Sequence, residues 1–207
     1  VEEIHRNGAI AYAVYNYIRH TLDDQYLLEG GLELLVGIAR FWNQRFHWSK
    51  RRGMYVMHGV TGPNEYENNV NNNWYTSYIA VWCLKYAAEC YNRCIEMDAS
   101  ATAKLSEKIN LDQLETQSWT DQAEKVYLPV DPVLNVFVQN DGFMDKELID
   151  SKDLNPAERP INQYWSWDRI LRSCFIKQAD VLQGLYFFEE DFDLETLERN
   201  FDFYEPM

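Results

Sequence analysis

Apolar residues along most of the chain recur every three to four positions, which is typical of α-helices with one buried face. Ile10, Ala13, Val14, Tyr17 and Ile18 form the first such stripe. Helices are predicted at about 8–20, 25–45, 73–97, 101–109, 118–127, 169–190 and 194–200. Such a series of helices with little strand predicts an all-α fold of antiparallel helix pairs around a pocket. Because the number of helices is too small to close a twelve-helix barrel, we expect an incomplete one.

The segment from Phe46 to Asn73 has a different pattern, with three glycines, one proline and six asparagines. Met54–Met57 is short and strand-like, and Thr61–Asn64 has the composition of a turn. Long loops between helices of a compact domain are usually functional or disordered. The aromatic content of this segment argues against disorder, and we therefore expect a functional loop.

Composition excludes some function classes. The 207 residues carry a net charge of −14, so the surface repels phosphate backbones and no nucleic-acid partner is expected. No stretch of 18 apolar residues suggests a membrane span. Aromatic residues make up 15% of the chain; most are expected in the core, and some are candidates to stack on a sugar.

The cysteines and histidines give no metal signature. Cys83, Cys90, Cys94 and Cys174 lack a C-x-x-C pair, and the histidines show no H-E-x-x-H spacing. We interpret the cysteines as buried, reduced thiols, which fits a cytoplasmic location. No metal or organic cofactor is predicted.

Glu65 is the best candidate for acid chemistry. It follows a Gly-Pro-Asn turn and is flanked by amides and aromatic residues. Cleavage of a glycosidic bond needs an acid whose pKa is raised, as apolar surroundings can do, and Tyr66 and Trp74 are candidates for such surroundings. Amide side chains nearby can bond sugar hydroxyls. The alternative interpretation is an ordinary capped loop with a solvent-facing glutamate.

Two further places carry candidate binding residues. Lys177 and Gln178 are adjacent polar residues in a mostly apolar stretch that we place on the last long helix. They are candidates to hold sugar hydroxyls, although a surface lysine and glutamine are the more common outcome. His5 stands at the entrance of the first helix, where a structural role is the more common one.

Three blocks of the sequence resemble glycoside hydrolase family 65. They are Ile4–Tyr12 (IHRNGAIAY), Gly59–Thr76 (GVTGPNEYENNVNNNWYT) and Phe175–Gly184 (FIKQADVLQG), in the order found in the family. The second block is most similar to the maltose-specific phosphorylases of that family. The resemblance implies an (α/α)6 barrel and an inverting phosphorolysis of an α-linked glucose disaccharide to β-glucose 1-phosphate and glucose. It places Glu65 on the general acid, Lys177 and Gln178 on residues that hold the transferred glucose, and His5 near the sugar site.

The resemblance also sets expectations about the rest of the molecule. Inorganic phosphate is the expected co-substrate, and a homodimer is common in the family. The family's Trp-Asp block and phosphate-binding stretch are expected upstream of Val1 and downstream of Met207. We therefore expect residues 1–207 to be a partial barrel domain, truncated at both ends and inactive in isolation.

Other functions stay open at this point. Within the family, the sugar specificity could be for trehalose, kojibiose or nigerose. An inverting hydrolase of similar fold would need a catalytic base that the sequence does not identify. A helical scaffold that keeps the motif without activity is the alternative from another class.

Overall fold

The computed structural model describes residues 3–207, and α-helices are the main elements of this part of the chain. The helices are α1 Arg6–Thr21, α2 Leu32–Arg45, α3 Trp74–Met97, α4 Ala99–Ile109, α5 Gln113–Ala123, α6 Ile161–Tyr164, α7 Trp167–Arg172, α8 Asp180–Phe187 and α9 Leu194–Tyr204. A π-helical turn spans Leu27–Gly31, and 3-10 turns span Phe143–Asp145, Ser151–Asp153, Pro156–Glu158 and Glu189–Asp191. The prediction of an all-α fold is confirmed.

Strands are limited to two small antiparallel hairpins in the described residues. The first pairs β1 His47–Ser49 with β2 Met54–Val56, in the register His47 opposite Val56. The second pairs β3 Val130–Asp131 with β4 Val136–Phe137. The strand predicted at Met54–Met57 is confirmed.

The chain forms two compact units. Unit 1 contains Glu3, His58–Thr76 and Leu128–Met207, and unit 2 contains Ile4–Met57 and Ser77–Tyr127. The candidate acid Glu65 and the candidate ligands Lys177 and Gln178 belong to unit 1, whereas His5 belongs to unit 2.

Unit 2 has a buried core, but the stripe predicted for its first helix is only partly right. α1 buries Val14 and Ile18 together with Gly8 and Ala11, whereas Ile10, Ala13 and Tyr17 are exposed. Trp42 and Trp119 are fully buried, and so is Ile79 of α3. A Cβ atom on Gly8 of α1 would lie 2.6 Å from Ile79 Cγ1, so a side chain there would push α1 and α3 apart. The helix pair therefore packs closely because residue 8 is glycine.

Unit 1 has its own aromatic core. Trp74 is buried and stacks on Phe137, with ring centroids 4.7 Å apart and an interplanar angle of 19°. Gly184 of α8 lets this indole approach, since a Cβ there would lie 2.6 Å from Trp74 Cζ3. Tyr204 is also buried, and its hydroxyl donates to the Phe137 carbonyl at 2.7 Å.

Three predicted helices are wrong in their bounds or continuity, and the helix predicted at 194–200 continues to Tyr204. Residues 25–45 do not form one regular helix, because Gly30 has a φ of 152° inside the π-helical turn that precedes α2. The helix expected at 118–127 is α5, which begins earlier because the side chain of Asp112 caps it by accepting from Glu115 N at 2.8 Å. It also ends earlier, since residue 126 pairs with the strand residue Tyr55.

The third error concerns the candidate ligands, because the helix expected at 169–190 is broken between α7 and α8. The backbone N–H of Cys174 donates to the Glu147 carbonyl at 3.1 Å, next to a parallel bridge between Glu147 and Ser173. The backbone N–H of Lys177 donates to Asn64 Oδ1 at 2.9 Å. Both amides thus bond outside the segment, which leaves Lys177 and Gln178 in a turn.

No helix of the described residues is long and apolar enough to cross a membrane.

Candidate active site

Glu65 lies near the middle of a loop whose two ends are paired. Val60 and Val70 exchange both backbone hydrogen bonds, at 3.0 and 2.9 Å, and so close a loop of nine residues between them. At the base of the loop Gly59 N donates to Asn71 Oδ1 at 3.2 Å. Inside it Glu67 N donates to the Asn64 carbonyl at 3.2 Å, which forms a turn around Glu65. The loop expected from the sequence is therefore ordered by its own backbone.

The side chain of Glu65 contacts the side chain of Lys177, which lies in the segment between α7 and α8. Glu65 Oε2 accepts a hydrogen bond from Lys177 Nζ, and both side chains are about half exposed, at 48% and 44%. This hydrogen bond raises the pKa of Lys177 above its ordinary value. The structure thus brings the candidate acid and a candidate sugar-binding residue together at the exposed surface of unit 1.

The surroundings expected for Glu65 are only partly observed. Tyr66 packs against an apolar cluster of Ile161, Ile170 and Phe175 and lies beside the acid. Trp74, however, is buried under Phe137 and belongs to the core. The carboxyl group of Glu65 is about half exposed and contacts an ammonium group, so the expected apolar environment is not observed.

Four of the six asparagines bond the protein itself through their side chains. Asn64 Oδ1 accepts from Lys177 N, Asn71 Oδ1 accepts from Gly59 N, and Asn72 Nδ2 donates to Asp141 Oδ2 at 2.6 Å. Asn73 Oδ1 accepts from Thr76 N at 2.9 Å and so caps α3. These contacts shape the loop, and the hypothesis that the amides bind sugar hydroxyls stays a prediction.

Asp180, which is 1% exposed at the start of α8, is a site residue that was not predicted from the sequence. Its Oδ1 accepts from the backbone N–H of Asn64 at 2.6 Å, and its Oδ2 accepts from Asn73 Nδ2 at 2.7 Å. Burial raises the pKa of Asp180 to about 7, although the hydrogen bonds from Asn73 and Asn64 act in the opposite direction. An acid at a buried position among apolar neighbours was the signal that could have identified it.

A second buried carboxylate stands two positions after the candidate acid. Glu67 Oε1 lies 2.8 Å from Lys146 Nζ, and Glu67 Oε2 accepts from Gln139 Nε2 at 2.8 Å. Asn140 Nδ2 also donates to Oε1, at 3.4 Å. Glu67 is therefore engaged by the protein, which leaves Glu65 as the exposed acid of this loop.

Gln178 and His5 differ in their placement. Gln178 is exposed in the same turn as Lys177. His5 is half-buried at the N-cap of α1 in unit 2, and its backbone carbonyl accepts from Gly8 N at 2.9 Å. Among the described residues, no group of three or more His, Cys, Asp or Glu side chains is placed to hold a metal ion.

Comparison with known proteins identifies the family. The sequence profile of the glycosyl hydrolase family 65 central catalytic domain matches residues 1–207. The chain belongs to this family. It is 52% identical over 206 residues to a maltose phosphorylase of Bacillus subtilis (strain 168), covering 100% of this chain and 26% of that protein.

Other relatives in the family are named for a different disaccharide. A kojibiose phosphorylase of Halothermothrix orenii is 37% identical over 204 residues, which cover 99% of this chain and 26% of the relative. A solved structure, provisionally described as a kojibiose phosphorylase from the human microbiome, matches 97% of this chain and 27% of its own, with a TM-score of 0.84 and 32% identity. The chain thus spans about a quarter of the length of these relatives.

Proposed function

We propose that the family 65 chain carries the general acid of a disaccharide phosphorylase, and that the disaccharide is maltose. The observation that carries the proposal is the exposed contact between Glu65, which lies on an ordered loop, and Lys177, which lies between α7 and α8. The 52% identity to a maltose phosphorylase supports maltose over the kojibiose, trehalose and nigerose that other relatives are named for.

In the proposed reaction Glu65 protonates the glycosidic oxygen while inorganic phosphate attacks the anomeric carbon from the opposite face. The products are β-glucose 1-phosphate and glucose. Lys177 and Gln178 hold hydroxyls of the transferred glucose, and bound sugar replaces Glu65 as the partner of the Lys177 ammonium. We place His5 near the same sugar by the resemblance of its sequence block.

Phosphorolysis needs fewer protein carboxylates than inverting hydrolysis. An inverting hydrolase needs a second carboxylate, roughly 6.5–9.5 Å from the acid, to activate water. Two buried carboxylates of unit 1 lie close in sequence to these residues: Glu67 is near Glu65, and Asp180 is near Lys177. Both carboxylates accept hydrogen bonds from protein groups. Phosphate is already an anion and needs no such base.

The test uses the full-length polypeptide that contains these residues, incubated with maltose in the presence and absence of inorganic phosphate. We expect β-glucose 1-phosphate to form only with phosphate, as resolved by NMR of the anomeric proton. Glu65→Gln should lower the rate by about 10²- to 10⁴-fold, since this is the usual contribution of a general acid. Glu198→Gln, the same change at an exposed position of α9, is the matched control.

Lys177→Met tests the binding role. Loss of a charged hydrogen bond costs about 1.5–3 kcal/mol, which corresponds to roughly 10- to 150-fold in kcat/KM. Lys104→Met on the exposed side of α4 is the control. Glucose released equally without phosphate would contradict the phosphorylase, and turnover of kojibiose or trehalose in preference to maltose would change the substrate.

We further propose that the enzyme acts in the cytoplasm and needs no metal or organic cofactor. We also propose that it forms a homodimer. Residues 1–207 alone would be an inactive part of the barrel domain. Activity that survives dialysis against a chelator tests the absence of a metal, and sedimentation of the full-length polypeptide tests the homodimer.

A further inference from the structure

Two segments of unit 1 exchange hydrogen bonds between side chains and backbone amides. Asn64 lies directly before the proposed acid, and its backbone N–H donates to Asp180 Oδ1 at 2.6 Å. In return, Asn64 Oδ1 accepts from the backbone N–H of Lys177 at 2.9 Å and from that of Tyr66 at 3.3 Å. Glu65 therefore sits between two residues whose amides are both fixed by this exchange.

Both oxygens of Asp180 are used, so its orientation is determined. Asp180 Oδ2 accepts from Asn73 Nδ2 at 2.7 Å. Asn73 cannot turn its amide over without loss, because its Oδ1 accepts from the backbone N–H and the hydroxyl of Thr76 at 2.9 and 2.8 Å. The carboxylate is thus hydrogen-bonded to the first turn of α3 through Asn73 and to the loop 61–69 that carries Glu65, called the acid loop below, through Asn64.

The loop approaches Asp180 more closely than any side chain would permit. A Cβ atom on Gly62 would lie 2.1 Å from Asp180 Oδ2 and 2.7 Å from Asn73 Nδ2. Glycine at position 62 therefore allows the turn before Glu65 to rest directly on the carboxylate.

A buried carboxylate that joins two segments carries an unfavourable free energy of desolvation. Asp180 is 1% exposed, and its described partners are amide groups rather than an ammonium or guanidinium group. Burial of a charge without a countercharge is unfavourable unless hydrogen bonds compensate for it. Two amide donors held in fixed directions supply such compensation, and they orient the loop at the same time.

We propose that Asp180 is a positioning residue for Glu65, which sets the direction in which the acid meets the glycosidic oxygen. This inference rests on the proposed function, because it concerns how efficiently Glu65 transfers its proton to the glycosidic oxygen. Asp180 contacts neither sugar nor phosphate in this proposal and acts through the backbone of Asn64.

Asp180→Asn is the informative change, since it keeps shape and one acceptor but turns the other oxygen into a donor. That new amide faces Asn73 Nδ2, and two donors repel each other. The double variant Asp180→Asn with Asn73→Asp reverses the two groups, so that a carboxylate at position 73 accepts from an amide at position 180 and from Thr76. We expect the single variant to lower kcat for maltose phosphorolysis by about 10- to 100-fold, because small displacements of catalytic groups have effects of this size. The double variant should recover only part of this loss, because Asn73 Nδ2 also donates to the Gln139 carbonyl at 3.2 Å and a carboxylate oxygen at that position cannot.

A second substrate separates positioning from general weakening. α-Glucosyl fluoride reacts with phosphate to give the same β-glucose 1-phosphate and fluoride ion, and fluoride needs little help from an acid to leave. We expect Glu65→Gln and Asp180→Asn to lose much less on this substrate, within about threefold of the parent enzyme, if the defect is proton delivery. Asp193→Ala, which removes the N-cap of α9 elsewhere in unit 1, should leave the ratio of the two activities unchanged.

The outcomes are distinct. Equal losses of Asp180→Asn on maltose and on the fluoride, or full activity on maltose, would overturn the positioning role. Undiminished maltose turnover by Glu65→Gln would instead overturn the proposed function and this inference with it. If Asp180→Asn does not fold, Asn64→Ala removes the other half of the exchange and is expected to show the same maltose-selective loss; an equal loss on both substrates would again contradict the proposal.

Discussion

Lys146 Nζ lies 2.8 Å from Glu67 Oε1, and both side chains are almost buried, at 11% and 8% exposed. Glu67 also accepts from Gln139, and Lys146 donates to the Leu171 carbonyl at 2.6 Å. The pair therefore links the motif that carries the proposed acid to two later segments of unit 1.

Lys146→Met is expected to lower the free energy of unfolding by about 3–5 kcal/mol, because it leaves a buried carboxylate without its countercharge. Glu67→Gln combined with Lys146→Met should cost less than the lysine change alone, since no buried charge remains. Thermal unfolding of the full-length polypeptide and of the single and double variants measures the coupling.

The control is Lys152→Met, which removes an exposed ammonium that pairs with Asp150. No measurable change of the unfolding temperature is expected there, because exposed ion pairs contribute little. A Lys146→Met protein as stable as the parent would contradict the importance of the buried pair.

Arg40 holds unit 2 together through its whole guanidinium group. Its Nε and Nη2 atoms donate to the two carboxylate oxygens of Glu115, each at 2.7 Å, and Nη1 and Nη2 donate to the carbonyls of Ile109 and Asn110 at 2.9 Å. Lysine cannot reproduce this geometry. We expect Arg40→Lys to lower the free energy of unfolding by about 1–3 kcal/mol, as measured by urea titration.

Lys108→Met is the matched change for Arg40→Lys. Lys108 also pairs with an acid, Glu33, but both side chains are largely exposed, at 65% and 44%. Its urea midpoint should stay with that of the parent protein. Equal shifts in the two variants would show that the bidentate contact and the carbonyl contacts of Arg40 contribute nothing beyond a surface ion pair.

The sequence predicted the helices whose periodicity agrees with tertiary structure. α1 and α3 lie within a residue or two of their predicted bounds, because one apolar face of each helix is buried, and in α3 the cap formed by Asn73 agrees with it. The stretch at 169–190 has the same apolar character, yet Cys174 and Lys177 donate their backbone N–H groups to Glu147 and Asn64. Such partners, more than a hundred positions away in the case of Asn64, cannot be inferred from periodicity.

The candidate site also contains residues that the sequence predicts and one that it does not. Glu65 and Lys177 were found through motifs that are local in sequence, and the structure brings them into contact. Asp180 belongs to one of the same motifs, but its role depends on Asn64 and Asn73, which lie 116 and 107 positions away. An acid among apolar neighbours can be noticed in the sequence, but the two amides that it bonds cannot be inferred from it.

Gly62→Ala is expected to disturb the acid loop strongly. Its Cβ would lie 2.1 Å from Asp180 Oδ2, where neither the carboxylate nor the loop has room to move without breaking a hydrogen bond. Overpacking of this kind typically costs about 1–3 kcal/mol, and we expect a lower unfolding temperature together with a lower kcat on maltose.

Gly37→Ala supplies the control for that change, because Gly37 is exposed in α2 and a Cβ there meets no atom within 4 Å. Alanine should stabilise this helix by up to about 1 kcal/mol. If Gly62→Ala behaved like Gly37→Ala in both measurements, the close contact between the loop and Asp180 would have no importance for the fold or for activity.

The four cysteines are free thiols and all are buried, which confirms their predicted state. Burial raises the pKa of Cys94 to about 11 and that of Cys90 to about 12, and it also raises the pKa values of Cys83 and Cys174. Since the thiolate is the form that reacts, we expect iodoacetamide to modify these positions slowly in the folded protein and rapidly in denaturant. Peptide mapping by mass spectrometry after timed labelling measures each position separately.

The same pKa shifts make stability depend on pH in a defined direction. An unfolded cysteine titrates near about 8.5, whereas folded Cys90 and Cys94 stay protonated until the pH is higher by several units. The stability that these thiols contribute is therefore complete below about pH 8.5 and is lost as the pH rises towards their folded pKa values. Between about pH 8.5 and 9.5 each thiol should reduce the free energy of unfolding by about 1 kcal/mol, and Cys90→Ala should flatten the measured slope by that amount. A slope that is the same with and without Cys90 would show that its folded pKa is not raised.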